Sequence, residues 1–482
     1  MNRREFLAHT TTLAAAAFGA QALSPSPVKA EEKPPAPRVP LLANDYVVVW
    51  ESPDPKEVYA YSPGICRLPT GRLVATMDRG GKGVAKIPGL RQGKTVLRGM
   101  IFTSDDRGRT WTHRADTPMV HARPFAAGNS VYVLGHSGDL TIVRSDDAGQ
   151  TWSAPAKLTQ GQGWHQAPCN VHYANGKVYL VMERNTDPKF KGWAVSVLAP
   201  VLMSAKVGDD LIRREAWTFA SELSFRDAVA AAGKPHLLGV PFFPTGPTAL
   251  NIPGDKRPMN PIGWLETNVV QFADPNHVWY DPSGRTFHLW MRAHTGTTNL
   301  ACIAKVVEAQ DGRMTTSLQT APSGEPMLYV PCPGGQMKFH ILYDESSKLF
   351  WLLSSQSTDS MTRPDRLPAN RFNLPNNERH RLALHFSKNC VDWCFAGLVA
   401  LGGDPSTMLR VAPSGSASLT APSLSRGLSR GDAGQGRHYA SMVVDGDDLH
   451  VLSRSGDARA KNAHDGDLIT FHTVRRFRDL VC

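Results

Sequence analysis

Side chains able to hold an anion or move a proton recur near the ends of β-type runs in this 482-residue chain. Asp78 follows Leu73-Val74-Ala75-Thr76-Met77, Arg292 ends Thr286-Phe287-His288-Leu289-Trp290-Met291, and Tyr439 stands in His438-Tyr439-Ala440-Ser441-Met442-Val443-Val444. Glu266, in Trp264-Leu265-Glu266-Thr267-Asn268-Val269-Val270, precedes the hairpin that Arg292 closes. Trp164-His165, Glu183-Arg184, Glu378-Arg379-His380-Arg381 and His464-Asp465 are further polar groups at strand ends or in loops. Arginine suits a carboxylate because its planar fork matches two oxygens. Histidine suits general acid–base work because its reference pKa lies near neutrality. Each type also has an ordinary reading as a solvated charge or a structural side chain. The fold decides between these readings by bringing the residues together or leaving them apart.

The elements that must position them read as strands and turns, with few convincing helices. Two near-copies, Ser104-Asp105-Asp106-Arg107-Gly108-Arg109-Thr110-Trp111 and Ser145-Asp146-Asp147-Ala148-Gly149-Gln150-Thr151-Trp152, follow β-type runs and share Ser-x-Asp-x-Gly-x-Thr-Trp. The pattern predicts a self-capped turn: Ser and Asp satisfy the turn's backbone N–H groups, Gly supplies positive φ, and Trp packs over the hairpin. A degenerate copy, Ser387-Lys388-Asn389-Cys390-Val391-Asp392-Trp393, keeps Ser and Trp. Hairpins recurring with a Gly/aromatic motif point to a propeller, and their spacing gives six blades. The early run Tyr46-Val47-Val48-Val49-Trp50 is expected to complete the last blade. Residues 222–258 show little strand pattern and read as a long loop over one face.

The repeated turn resembles the Asp box of the sialidase superfamily, which implies an all-β, six-bladed, sialidase-like β-propeller. That resemblance implies three arginines for a substrate carboxylate, a tyrosine nucleophile activated by a glutamate, and an aspartate as acid/base. Tyr439 is similar to the nucleophile, Glu266 to its activating base, and Arg292 and Arg379 to carboxylate-binding arginines, with Arg381 competing with Arg379. Ser62 stands where the family's first arginine belongs, and Arg67, close in sequence though in the next turn, is the candidate binding residue in its stead. The expected acid/base position is also empty, since residues 80–103 contain no Asp or Glu. Asp78 and His165 are then the candidate proton donors, and His464 a further binding residue. The resemblance implies a glycoside hydrolase of exo-sialidase type acting on terminal acidic sugars. A hydrolase or lyase of another acidic polysaccharide and a non-catalytic glycan-binding propeller are the alternatives.

A net charge of +10, scattered rather than clustered, fits a solvated surface or a field favouring an anionic glycan; no nucleic-acid motif accompanies it. No cofactor is expected, and the hard-oxygen set around His464 is too incomplete to expect a metal. Seven cysteines lack zinc spacing; Cys390 and Cys394 are close enough for a local bridge, but two packed thiols are the expectation. Residues 1–30 read as a twin-arginine export signal, with Arg3-Arg4, a short apolar run and Val28-Lys29-Ala30 as cleavage site. A Pro-rich linker is expected over 31–44 and the propeller over 45–482. The expectation is therefore a periplasmic or extracellular protein with no membrane span after signal removal.

Overall fold

The computed structural model describes residues 41–43, 45–191, 193–232, 250–251, 258–259, 263–295, 298–358, 360, 378–402 and 435–481. The expected export signal lies outside them, as does the expected linker apart from 41–43.

Six antiparallel sheets form the six blades. Blade one comprises Tyr59–Arg67, Leu73–Gly80, Gly99–Ser104 and Thr112–Thr117; blade two comprises Val120–Ala127, Ser130–Ser137, Asp139–Ser145 and Ala156–Lys157. In blade three the first strand is broken into Trp164–His165 and His172–Ala174, both paired with Lys177–Asn185, and Leu198–Lys206 and Thr218–Phe219 follow. Blade four runs Gly263–Val270, Thr286–His294, Leu300–Glu308 and Met314–Ser317; blade five runs His340–Asp344, Leu349–Ser355, Arg381–Ser387 and Cys394–Leu401. Blade six takes Gly436–Asp445, Asp448–Gly456 and Leu468–Val474 from the end of the chain and Val47–Glu51 from its start. The early run thus closes the ring, pairing Val47 with Phe471 and Glu51 with Leu468, so the sheet edge there is covered.

The core lies between blades, and the strand sequences show why. In Lys177–Asn185, Val178, Leu180 and Met182 pack with Tyr132, Leu134 and Ile142 of blade two, whereas Tyr179 and Val181 pack with Trp264, Phe287 and Leu289 of blade four. A strand buried on both faces needs a continuous apolar run, and Val178-Tyr179-Leu180-Val181-Met182 is one.

The repeated turns form as the sequence predicts. In the first, Ser104 Oγ accepts from Gly108 N (2.9 Å), Asp106 Oδ1 accepts from Thr110 N (2.9 Å), and Trp111 Nε1 donates to the Gly108 carbonyl (3.1 Å). The second repeats these bonds through Ser145, Asp147 and Trp152. Gly108 has φ +85°, and a Cβ there would lie 2.1 Å from the Phe471 ring of blade six, so the turn also seals one blade against the next. In the degenerate copy, Asn389 replaces the aspartate and accepts from Val391 N (2.9 Å) and Asp392 N (2.8 Å).

The stretch read as a loop begins instead with a helix, Phe225–Ala232. Ser224 Oγ accepts from Asp227 N (3.2 Å) and donates to Asp227 Oδ2 (2.5 Å), a Ser-x-x-Asp capping arrangement that starts it. Cys390 is buried and Cys394 exposed, both free, so the local bridge is not formed. No helix among the described residues is long and apolar enough to cross a membrane.

Candidate active site

Four of the blades' first strands carry the same irregularity. Ser62, His121, Glu266 and Tyr439 all have positive φ (46°, 54°, 60° and 51°), each within a register shift against the second strand of its blade. A bulge of this kind re-aims a side chain. The residue just before each bulge pairs with a polar residue near the end of the second strand: Tyr61 with Asp78, Val120 with His136, Leu265 with Arg292 and His438 with Arg454. In blade three, His165 pairs with Glu183 in the equivalent place. Five blades therefore place a polar side chain, Asp78, His136, Glu183, Arg292 or Arg454, at the equivalent position of the second strand, paired with or next to a polar residue of the first.

Tyr439 and Glu266 meet there, though 173 residues apart: Tyr439 Oη donates to Glu266 Oε1 at 2.6 Å. Arg292 Nη1 donates to Tyr439 Oη at 2.8 Å and to Glu266 Oε2 at 3.3 Å, while its Nε donates to the Gln336 carbonyl at 2.7 Å. Burial and the Glu266 charge push the Tyr439 phenol upward against the pull of Arg292 and Arg379, so it stays neutral at ordinary pH. Burial opposes the Arg292 charge, but Tyr439 and Glu266 more than offset it and raise its pKa.

Two further guanidiniums flank the phenol. Arg379 and Arg454 each lie 5.3 Å from the centre of the Tyr439 ring, and Arg454 also covers Tyr61 at 4.0 Å. Burial, only partly countered by Tyr439, brings Arg379 down to about 9, still a cation at neutrality. Arg381 pairs instead with Glu378. Three buried arginines from blades four, five and six thus surround one neutral tyrosine.

The candidate proton donors sit on the neighbouring blades. His165 Nδ1 is 2.9 Å from Glu183 Oε2, and Glu183 Oε1 is fixed by Thr267 N (3.2 Å) and Thr267 Oγ1 (3.1 Å), next to Glu266. Burial works against the imidazolium of His165, but Glu183 raises its pKa overall. Asp78 is 2% exposed, and burial pushes its carboxyl up to about 7 although His121 N donates to it at 3.0 Å. His121 Nδ1 and His136 Nε2 are 3.0 Å apart, and burial holds both imidazoles well below their ordinary range.

Of the remaining residues, His464 joins this edge: its Nδ1 is 2.7 Å from Asp465 Oδ1, and its ring is edge-on to Tyr61 at 5.7 Å. Arg67 does not join it. Its Nε donates to Asp445 Oδ1 at 2.6 Å, and it lies at the far ends of the first strands, lining a different cavity. The reason is register: Arg67 falls five residues past the bulge at Ser62. Sequence reasoning missed Arg454, His121 and His136. Arg454 had a signal, since it is the seventh of nine residues in Asp448–Gly456, as Arg292 is in Thr286–His294. Among the described residues, no group of three or more His, Cys, Asp or Glu side chains is arranged to hold a metal ion.

No protein-family model matches this sequence. No curated protein matches it either. Among solved structures, the chain is similar to a Dyadobacter fermentans protein of unknown function, with 12% identity over 89% of this chain and 97% of that one and a TM-score of 0.46. It is also similar to the Hadza microbial sialidase Hz136, with 13% identity over 89% and 68% of the two chains and a TM-score of 0.48. A third is the GH93 α-L-arabinofuranosidase of Fusarium graminearum, with 10% identity over 90% and 98% and a TM-score of 0.43.

Proposed function

We propose that this chain is a glycoside hydrolase of exo-sialidase type, acting on the terminal acidic sugar of a glycan after export. The observation that carries this reading is the 2.6 Å bond between Tyr439 and Glu266 inside the three arginines Arg292, Arg379 and Arg454. The arginines hold the substrate carboxylate, with Arg454 filling the place that Ser62 leaves vacant in the family pattern. Beside that carboxylate, a neutral phenol attacks the oxocarbenium-like centre more readily than a charged carboxylate nucleophile would. Tyr439 Oη bonds to the anomeric carbon as its proton passes to Glu266 Oε1. The glycosidic C–O bond breaks, and the leaving oxygen takes a proton from His165. Water then attacks the glycosyl-tyrosine, giving its proton to His165 while Glu266 returns one to Tyr439. His165 is preferred to Asp78 because its side chain is 27% exposed and Glu183 orients it and supports its charge.

The test is release of sialic acid from a fluorogenic α-sialoside, with Tyr439→Phe as control. Turnover that the substitution abolishes is expected; no turnover by folded wild-type protein would sink the specificity. Residues 80–103 lack the acid/base aspartate of the family pattern, and the imidazoles of His121, His136 and His165 cluster beside the site instead; this favours one second reading: a hydrolase or lyase of another acidic polysaccharide.

A further inference from the structure

The first strands run past the site and end around a second cavity of about 420 Å³, lined by Arg123, Cys169, Asn170, His340 and Ser441 among others, and by none of the paired polar groups above. Positive charge is buried against it. Arg123 is 2% exposed, and its Nη1 and Nη2 donate only to the carbonyls of Asn170 (3.2 Å) and Val181 (3.3 Å). Its Nε has no partner, and neither does Nδ1 of His340, which is 5% exposed. Lys338, 1% exposed, bonds the Ala440 carbonyl and, at 3.0 Å, Ser441 Oγ, a cavity-lining group. Among the described residues neither Arg123 nor Lys338 has a carboxylate within ion-pairing distance, although the more distant Glu183 and Glu266 favour the charged forms of Arg123 and Lys338 respectively; Glu345, the carboxylate that lines the cavity, is engaged by Lys348.

A buried cation with no carboxylate in contact is costly, and so is a buried N–H without an acceptor. One occupant relieves both. We propose that this cavity binds a small oxyanion, an inorganic anion or a free carboxylate, which neutralises the charge of Arg123 and Lys338 and accepts from Arg123 Nε and His340 Nδ1 once these atoms, closed off in the cavity wall, turn toward it. Burial brings Arg123 to about 10 and Lys338 to about 8, so both remain cationic at neutral pH. Burial holds His340 neutral, leaving one ring N–H to donate.

The test is thermal unfolding of the full chain titrated with phosphate, sulfate and acetate against chloride at matched ionic strength, for wild type, Arg123→Met and Arg379→Met. The expected result is a saturable rise in melting temperature with the oxyanions, lost in Arg123→Met and kept in Arg379→Met, which weakens only the arginine cluster around Tyr439. An equal response to chloride, no response in wild type, or a response that survives Arg123→Met would overturn the proposal. Calorimetric titration of the unaltered chain with inorganic phosphate decides the matter if Arg123→Met does not fold: one saturable site that Lys338→Met weakens supports it, and absence of heat overturns it. None of these readouts depends on glycosidase activity, so the two proposals fail separately.

Discussion

The repeated turns and the first-strand bulges both hold residues other than glycine at positive φ, but by different means. Arg107 and Ala148 in the turns have φ 60° and 58°, and the bonds that fix them come from Ser, Asp and Thr within the same eight residues. Glu266 and Tyr439 have φ 60° and 51°, and each is held chiefly by the other and by Arg292. Such a backbone costs roughly 1–3 kcal/mol per residue wherever it occurs. In the turn the compensation is local and serves stability. In the bulge it comes from other blades and leaves a phenol and a carboxylate in hydrogen-bond contact.

The sharpest way to break this comparison is to remove one atom from the bulge. Tyr439→Phe should lower turnover of an acidic glycoside by about three orders of magnitude or more while the melting temperature stays within a few degrees. Retained turnover would reduce the bulge to a structural feature. His165→Gln should cost about 10²–10⁴ in kcat, the usual worth of a general acid, and remove an alkaline limb set by a group titrating above the ordinary histidine value. Asp78→Asn serves as its counterpart; if it abolishes the limb instead, the proton donor is Asp78.

The turns should respond in the opposite sense, losing stability but not chemistry. Gly108→Val puts a branched side chain at φ +85° against Phe471 and should cost about 2–3 kcal/mol in urea unfolding, with kcat of the folded fraction unchanged. The smallest effect is that of pH on the first turn. Hydrogen bonds from the Thr110 hydroxyl and N–H hold the Asp106 carboxyl down at about 2, below its unfolded value near 4. Its contribution is complete above that unfolded value and fades as pH falls toward 2. Asp106→Asn should therefore flatten the acid edge of the stability profile slightly and leave activity alone.

The turns were legible because the whole device lies in one short window: donors, acceptors, the glycine and the covering Trp are neighbours in sequence. The apolar runs of the middle strands were legible for a related reason, since burial on both faces leaves no polar gap. The helix at Phe225–Ala232 carried its own signal in Ser224 and Asp227, which the surrounding Gly and Pro content obscured.

What the sequence determined by itself was an all-β chain of repeated hairpins, the self-capped turns and the closing role of Val47–Glu51, because each follows from short-range pattern and the need to cover an edge. It also offered Tyr439, Glu266, Arg292 and Arg379 as residues of suitable chemistry. Tertiary structure decided that these four converge, that Arg454 rather than Arg67 is the third guanidinium beside Tyr439, and that His165 stands on Glu183. Those outcomes depend on where each bulge shifts the register, and a shift of one residue sends a side chain to the other face. Bonds across 173 residues fix that register, and no local window contains them.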